Sequence, residues 1–239
     1  MNKERLKTGL EMMGVAADET ALDRFEAFHA ILDEYNARMD LTAVLDEDER
    51  VDRHDLDSAA PLAHGLLVQG AKVIDVGTGA GFPGMPLLIL RPDLQITFLD
   101  ALNKRILFLE DALKRLGLTA ATLHARAEDA AKMAAHREQY DAAVSRAVAN
   151  AATLEELTLP FVKKGGVAIA WKGPGVADEL TAARRAAFLL GGTVRGTVDA
   201  PIPRRADWAH VLLLTDKTGT TPKAYPRKAG TPGKKPLGM

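Results

Sequence analysis

Three glycines at alternate positions follow a short apolar run whose only polar member is Asp75. Gly77, Gly79 and Gly81 let the backbone turn sharply and approach a ligand closely. A carboxylate, Asp100, ends the next apolar run, 23 positions after Gly77. In doubly wound sheets, an acid at this place binds the ribose hydroxyls of an adenosine ligand. The pattern therefore predicts a site for an adenosine-bearing cofactor, with Asp75, Gly77, Gly79 and Asp100 among its contacts.

The spacing of the glycines separates the classes of cofactor. A nicotinamide fingerprint requires G-x-G-x-x-G directly after the strand, and from Gly77 it fails because Phe82 takes the sixth place. Counting from Gly79 gives a formal match that ends at Gly84, but two residues then separate Gly79 from the strand. No lysine follows as nucleotide hydrolases require. A strand-end acid followed by G-x-G instead resembles the cofactor loop of class I S-adenosylmethionine methyltransferases.

Charged residues also follow the later apolar runs of this region. Glu128 comes after the third run, Arg146 ends the fourth and Lys172 ends the fifth. Because the carboxyl ends of parallel strands meet at one edge of a sheet, we expect all three near Gly77. A carboxylate suits the adenine amino group, so Glu128 is the predicted contact. Each charge is also compatible with an ordinary surface residue.

Several other kinds of active site find no support in the sequence. The chain has no cysteine, which excludes disulfides, thiolate metal sites and a cysteine nucleophile. Its two serines, Ser58 and Ser145, lie outside any G-x-S-x-G elbow. The six histidines show no spacing typical of metal ligands, so no metal is predicted.

Short apolar runs alternate with helical patterns between residues 71 and 215. Such alternation is typical of a parallel sheet with helices on both faces. The last two runs have no helix between them, which predicts an antiparallel pair near one edge. We therefore predict an α/β fold of the class I, Rossmann-like methyltransferase type, with a mostly parallel seven-stranded sheet. The predicted strands cover residues 73–76, 95–99, 122–125, 141–145, 166–171, 193–198 and 209–215.

The regions on either side differ from this domain. Residues 1–70 carry apolar side chains at helical spacing, with Asp18 as the predicted N-cap of one helix, and form an N-terminal helical extension. Residues 71–215 form the predicted S-adenosylmethionine-binding domain. Residues 216–239 hold six basic residues against one acid, interrupted by four prolines. We expect a flexible basic tail there, because this stretch cannot bury enough apolar surface to fold alone.

The overall charge gives no hint of nucleic acid. The chain has 31 basic and 32 acidic residues and a net charge of −1, so an RNA preference must come from their distribution. The N-terminus lacks the apolar run of a signal peptide, and no apolar run reaches the roughly 18 residues of a membrane span. We expect a cytoplasmic protein without a membrane partner.

Seven pieces of the sequence, in order and across nearly the whole chain, are similar to one protein family. They are residues 38–43, 53–58, 74–84, 102–109, 126–128, 145–147 and 225–236. On these pieces the chain resembles the bacterial ribosomal RNA small subunit methyltransferase G family, also called glucose-inhibited division protein B. The resemblance implies N7-methylation of guanosine 527 in 16S rRNA, near the decoding centre, with S-adenosyl-L-methionine as cofactor. It also implies cofactor contacts at Gly77, Phe82, Ala127, Glu128 and Arg146.

Such a reaction needs positioning more than acid–base chemistry. The sulfonium is a strong electrophile and guanine N7 carries a lone pair and no proton, so no general base is predicted. The N7 edge lies in the deep groove of paired RNA, so the base must be unpaired or flipped out. Lysine commonly contacts guanine O6, which makes Lys172 the predicted guanine contact. From position and charge, we expect RNA contacts from Lys104, Arg105, Arg227, Lys228, Lys234 and Lys235.

Three alternatives stay open at this point. A methyltransferase of the same fold could act on another RNA, a protein or a small molecule, although the basic tail favours RNA. A nicotinamide-dependent oxidoreductase is compatible with Asp100 but not with the glycine spacing. A non-enzymatic RNA-binding or cell-division role fits the older family name but not an intact cofactor loop. Nothing in the sequence indicates a dimer, so we expect a monomer that binds 16S rRNA, the small subunit or its assembly intermediate.

Overall fold

Seven β-strands form one sheet in the part of the chain that the structure describes. The computed structural model describes residues 1–146 and 149–239. The strands are β1 (Lys72–Val76), β2 (Gln95–Asp100), β3 (Ala121–His124), β4 (Tyr140–Arg146), β5 (Val162–Lys172), β6 (Gly192–Asp199) and β7 (Val211–Lys217). Their spatial order is β3-β2-β1-β4-β5-β7-β6. All seven predicted strands are confirmed, with ends shifted by at most a few residues.

The directions of the strands bring five carboxyl ends to one edge. The strands β3, β2, β1, β4 and β5 are parallel, and β7 runs antiparallel to both β5 and β6. The predicted reversed strand near the edge is thus β7. The order of the strands changes direction at β1, which lies between β2 and β4. Ligands of doubly wound sheets bind beside the carboxyl ends at such a switch point.

Helices pack on the two faces of the sheet. They are α1 (Lys3–Met12), α2 (Glu19–Met39), α3 (Glu47–Arg50), α4 (Asp57–Ala63), α5 (Gly84–Leu90), α6 (Asn103–Leu116), α7 (Ala127–Ala130), α8 (Ala151–Thr158), α9 (Val176–Leu189) and α10 (Thr231–Lys234). A π-helical turn over Val51–Leu56 joins α3 to α4. Asp18 caps α2 as predicted, because its side chain accepts the N–H of Ala21. Among the residues described, no helix is long and apolar enough to cross a membrane.

Successive residues of the central strands belong to different apolar clusters. In β1, Val73 lies in the cluster that also holds Phe25 and Phe28 of α2, whereas Ile74 and Val76 lie in the cluster on the other side. This alternation is what a sheet buried on both faces requires. The N-terminal helices therefore share a core with the sheet, and the domain boundary near residue 70 stays a prediction.

The C-terminal residues are folded against the domain. Lys217 is buried, and its Nζ donates to the carbonyl of Leu159 at 2.8 Å. The Arg137 guanidinium donates to the carbonyls of Thr221 and Tyr225, at 2.8 and 2.9 Å. The expectation of a flexible tail over residues 216–239 is thus corrected. It considered only the apolar surface of the tail itself, whereas the tail is held by polar partners that the domain supplies.

Candidate active site

The glycine loop joins β1 to α5 at the switch point. The N–H of Gly77 donates to the carbonyl of Leu99 at 2.9 Å, and the N–H of Gly79 donates to Asp100 Oδ2 at 3.0 Å. Gly77 and Gly79 have φ of 73° and 59°, in the left-handed region that favours glycine. The loop is therefore fixed to the end of β2, with Asp100 as its side-chain anchor.

Asp75 supports the loop from beneath. Its carboxylate is completely buried, and Oδ2 accepts the Thr78 hydroxyl at 2.6 Å and the Gly84 N–H at 2.9 Å. Burial raises the pKa of Asp75 to about 6. The strand-end position predicts a cofactor contact at Asp75, but its side chain is bonded to the loop and does not line the cavity above it. Its observed contribution is to hold the loop in shape.

Two neighbouring cavities open above the loop. The first has a volume of about 470 Å³, and its walls include His54, Gly77, Gly79, Phe82, Arg105 and Arg146. The second has about 280 Å³, and its walls include Ala127, Glu128, Leu157 and Gly230. Gly77 and Asp100 line both cavities. The two volumes together lie in the range of small-molecule sites, roughly 300–1,000 Å³.

Asp100 stands where the two cavities meet. Its Oδ2 accepts the N–H of Gly79 and a guanidinium N–H of Arg105 at 3.3 Å. Among the described residues, its Oδ1 accepts only the N–H of Leu102, at 2.8 Å. A carboxylate oxygen has two lone pairs, so Oδ1 keeps acceptor capacity for one more donor. The geometry suits a ribose hydroxyl between an adenine in one cavity and an amino-acid chain in the other.

Ala127 and Glu128 lie at the start of α7 on the far wall of the smaller cavity. Glu128 is buried, and its Oε1 accepts the N–H of Gly230 at 2.7 Å. The structure thus brings Glu128 to the place that the sequence predicts, next to Asp100 and Gly77. It also shows a partner that no pattern in the sequence predicts, because Gly230 belongs to the C-terminal segment, residues 225–235.

An aromatic and cationic wall closes the larger of the two cavities. The imidazole of His54 stacks on the Phe82 ring at 4.4 Å, and the Arg146 guanidinium lies 5.3 Å from the centre of that ring. Burial and the nearby Arg146 lower the pKa of His54 to about 3. His54 is therefore neutral at physiological pH. Ser145 precedes Arg146 and donates to the carbonyl of Val76, whereas Ala147 of the predicted piece 145–147 lies outside the described residues.

A third cavity of about 570 Å³ lies on the other side of this wall. Its walls include Arg53, Asp57, Trp171, Lys172, Glu179 and His210. His54 and Arg146 line both this cavity and the glycine-loop cavity. The structure therefore offers two adjoining spaces that share one pair of side chains.

Asp57 holds this shared wall in place. Its Oδ2 accepts Arg146 Nη1 at 3.0 Å, its Oδ1 bonds His210 Nδ1 at 3.0 Å, and its carbonyl accepts the Trp171 indole N–H at 2.9 Å. Sequence reasoning did not assign a role to Asp57 or His210. The piece 53–58 carried a signal for Asp57, although a solvated helix face explains that pattern equally well. No local pattern marks His210, which is 153 positions away from Asp57.

Several predicted RNA contacts have other partners in the structure. Lys172 lies in the third cavity as expected, and its Nζ bonds Glu179 Oε2 at 2.7 Å. Arg105 lines the glycine-loop cavity and pairs with Asp100, so its guanidinium faces the cofactor region, and an RNA contact at Arg105 stays a prediction. Lys104 is exposed, and its Nζ lies 3.4 Å from the carbonyl of Met39.

The basic residues of the C-terminal segment fall into two groups. Arg227 forms a forked pair with the fully buried carboxylate of Glu156, and its Nη2 lies 2.6 Å from Glu156 Oε2. Because Glu156 already accepts from Nε and Nη2 of Arg227, the observed role of this guanidinium is to hold the segment, and an RNA contact at Arg227 stays a prediction. Lys228, Lys234 and Lys235 are exposed. In the described parts of the chain, no group of three or more His, Asp or Glu side chains could hold a metal ion.

These residues fit S-adenosylmethionine. The spare acceptor of Asp100 lies between a cavity walled by Glu128 and a cavity walled by the glycine loop and Phe82. This arrangement matches a nucleoside with an amino-acid chain attached to its ribose. No phosphate-binding lysine follows the loop, which agrees with a cofactor that carries no phosphate.

The comparisons with known proteins agree with this chemistry. A family model described as rRNA small subunit methyltransferase G matches residues 21–204. The ribosomal RNA small subunit methyltransferase G of Alkaliphilus metalliredigens is 43% identical over 99% of both chains. The protein of the same name from Clostridium perfringens strain 13 is 41% identical over 97% of both chains.

A solved structure supports the fold. Methanococcus jannaschii fibrillarin, a pre-rRNA processing protein, has a TM-score of 0.52 and 16% identity, over 68% of this chain and 74% of its own. At this identity the likeness concerns the fold alone. The family model and the full-length relatives carry the assignment, and on their evidence this chain belongs to the rRNA small subunit methyltransferase G family.

Proposed function

We propose that this protein transfers the methyl group of S-adenosylmethionine to N7 of guanosine 527 in 16S rRNA. As a member of its family, it is an S-adenosylmethionine-dependent rRNA methyltransferase. The observation that carries the finer proposal is the pair of adjoining cavities that share His54 and Arg146. One cavity suits the cofactor, and the other is large enough and polar enough for a purine base.

The cofactor's parts divide between the two loop cavities. Asp100 binds the ribose, and the cavity of Ala127 and Glu128 holds the adenine, with Glu128 as acceptor for the amino group. Gly77 and the rest of the loop cavity hold the methionine end of the cofactor. When bound there, the cofactor supplies a methyl group on a cationic sulfur. We assign no direct cofactor contact to Asp75.

The guanine occupies the third cavity in this proposal. Lys172 Nζ donates to O6, while Glu179 keeps the ammonium in place. The base enters only if it is unpaired or flipped out, since side chains cannot read N7 in the deep groove of paired RNA. Guanine N7 then faces the methyl group of the cofactor at the junction where His54 and Arg146 line both cavities.

The residues of the shared wall act by position. Asp57 fixes the Arg146 guanidinium, and Phe82 fixes the His54 ring by stacking. N7 bears no proton, so no base is needed, and a neutral His54 adds no positive charge beside a cationic methyl donor. Holding the two reactants in line can contribute about 7–11 kcal/mol to lowering a barrier. Methyl transfer at this site therefore requires that the residues orient the two reactants and does not require a general base.

The exposed lysines supply the contacts to the RNA backbone. Lys104 lies at the start of α6, and Lys228, Lys234 and Lys235 lie on the C-terminal segment. The ligand is the small ribosomal subunit or its assembly intermediate, bound by one copy of the protein in the cytoplasm. Phosphate contacts of this kind make the affinity fall as salt rises.

Transfer of a labelled methyl group tests the proposal. The protein is incubated with methyl-labelled S-adenosylmethionine and small subunits that lack the modification, and the label is mapped by nuclease digestion and mass spectrometry. We expect one methyl group per particle, at N7 of guanosine 527. Label at another nucleotide or on a ribosomal protein would overturn the assignment of the acceptor.

A further inference from the structure

The C-terminal segment, residues 225–235, forms part of the smaller cofactor cavity. Gly230, Pro232 and Gly233 line that cavity together with Ala127 and Glu128. The segment is also hydrogen-bonded to this wall, because the Gly230 N–H donates to Glu128 Oε1 at 2.7 Å. Glu128, the predicted adenine contact, is therefore also hydrogen-bonded to the C-terminal segment.

Arg227 is the main anchor of the segment. Its Nε lies 3.0 Å from both carboxylate oxygens of Glu156, and Nη2 lies 2.6 Å from Oε2. The N–H of Arg227 also donates to Glu156 Oε1 at 2.7 Å. Glu156 is fully buried in α8, so removal of the guanidinium would leave a buried carboxylate without a counter-charge.

Two further bonds extend the anchor along the segment. Arg227 Nη2 donates to the carbonyl of Lys235 at 2.7 Å, which closes the segment into a loop. The buried Thr153 hydroxyl donates to the carbonyl of Pro232 at 3.2 Å. The position of the cavity wall therefore depends on Arg227, although this residue does not line the cavity itself.

The same segment presents its free charges to solvent. Lys228 lies between Arg227 and Gly230, and Lys234 and Lys235 follow the residues that line the cavity. These three side chains are exposed. One short stretch of chain thus carries both a wall of the cofactor cavity and the lysines assigned above to the RNA backbone.

We propose that residues 225–235 couple cofactor binding to RNA binding, with Arg227 as the positioning residue that holds them against the adenine. RNA phosphates that contact the three lysines fix the segment against the cavity, and adenine packed against the segment presents the lysines in one arrangement. Binding linkage requires that each ligand raises the affinity for the other by the same factor. This inference rests on the proposed function, because it uses the same cofactor and the same RNA.

The first test removes the anchor in the full-length protein. We expect Arg227→Met to weaken the binding of S-adenosylhomocysteine, measured by calorimetry without RNA, by about tenfold. The KM for S-adenosylmethionine should rise by a similar factor while kcat at saturating cofactor changes little. Arg227→Lys, which keeps a positive charge beside Glu156, should recover part of the affinity.

A matched variant separates this effect from a general loss of stability. Arg195 forms a forked pair with Asp216 on the edge strands β6 and β7, and neither residue lines the cofactor cavities. Arg195→Met should leave the affinity for S-adenosylhomocysteine unchanged. Equal affinities of Arg227→Met and wild type, at a temperature where both are folded, would refute Arg227 as a positioning residue.

The second test measures the coupling itself. Small subunits that lack the modification, at saturation, should tighten the binding of S-adenosylhomocysteine to the wild type by at least about fivefold, the lower end of usual coupling factors. A triple variant has Gln in place of Lys228, Lys234 and Lys235. Its affinity for S-adenosylhomocysteine without RNA should equal that of the wild type, and the increase caused by RNA should fall from about fivefold towards none. The coupling would be refuted if the triple variant kept the full increase in S-adenosylhomocysteine affinity. It would also be refuted if the wild type showed no such increase.

The two proposals fail in different ways. A wild-type protein that binds no S-adenosylhomocysteine and methylates no RNA refutes the proposed function and this inference together. A wild type that binds the cofactor and methylates small-subunit RNA, but whose Arg227→Met variant does both with unchanged constants, refutes only the inference.

Discussion

Two glycines of the cofactor loop should respond to alanine in opposite ways. A Cβ on Gly84 would lie 2.5 Å from Phe98 Cε1 and 2.7 Å from Asp75 Oδ2, and both side chains are fully buried. A Cβ on Gly79 would meet no atom within 4 Å, but this residue has φ of 59° and lines the cofactor cavity. Gly84→Ala should therefore damage folding, and Gly79→Ala should damage binding.

The structure sets the size of each effect. Overpacking of a core costs roughly 1–3 kcal/mol, and a weakened bond between the Gly84 N–H and the buried Asp75 carboxylate costs roughly 1–3 kcal/mol more. For Gly84→Ala we thus expect a loss of roughly 2–6 kcal/mol in the free energy of unfolding. Alanine in the left-handed region costs roughly 1–2 kcal/mol, so for Gly79→Ala we expect a loss of that size in the free energy of unfolding.

Urea unfolding and calorimetric titration separate the two variants. Gly84→Ala should unfold at clearly lower urea than Gly79→Ala. Gly79→Ala should stay folded and bind S-adenosylhomocysteine at least about tenfold more weakly, a loss of about 1.4 kcal/mol. If Gly84→Ala is as stable as the wild type, or Gly79→Ala is the less stable of the two, the assignment of a supporting glycine and a binding glycine is wrong.

Three further predictions concern single side chains. Asp100→Ala should weaken S-adenosylhomocysteine binding by at least about tenfold, by calorimetry, because the ribose acceptor is lost. Lys172→Ala should lower turnover on small subunits while the Kd for S-adenosylhomocysteine stays unchanged, and Lys163→Ala, at the opposite edge of the sheet, should change neither. Burial raises the pKa of Asp75 from 3.8 to about 6, so the folded chain binds this proton more tightly, and stability falls as pH rises between these values. In urea unfolding, the free energy of unfolding of Asp75→Asn should decrease by about 3 kcal/mol less than that of the wild type over this pH range. An unchanged pH dependence would contradict burial as the cause of the raised pKa of Asp75.

The fold and the cofactor loop were predictable because their determinants are local. Strands buried on both faces are indicated by short, mostly apolar runs, as at Val73–Val76, and each of the seven runs predicted as strands forms one. The left-handed turns at Gly77 and Gly79 require glycine whatever surrounds them. The position of Asp100 was predictable for the same reason, since it ends β2, the strand next to the loop.

The contacts that span long distances in the sequence were not predictable. Asp57 and His210 meet only because the β6–β7 connection folds over α4, and no pattern near either residue indicates the other. Charge and position predict an RNA contact at Arg227, but the composition of a tail says nothing about its partner, the buried Glu156. A strand-end carboxylate such as Asp75 can face either the ligand or the loop, and the sequence does not distinguish the two, whereas the structure shows Asp75 bonded to the loop.

Replacement of one nitrogen in the acceptor tests the central claim most directly. Small-subunit RNA is assembled with 7-deazaguanosine at position 527, which has a carbon in place of N7 and keeps O6 and the base-pairing edge. We predict that the protein binds this RNA with the affinity of the unmodified form and transfers no methyl group to it. Methyl transfer to the substituted nucleotide at the normal rate would contradict an N7 acceptor in the cavity beside His54 and Arg146.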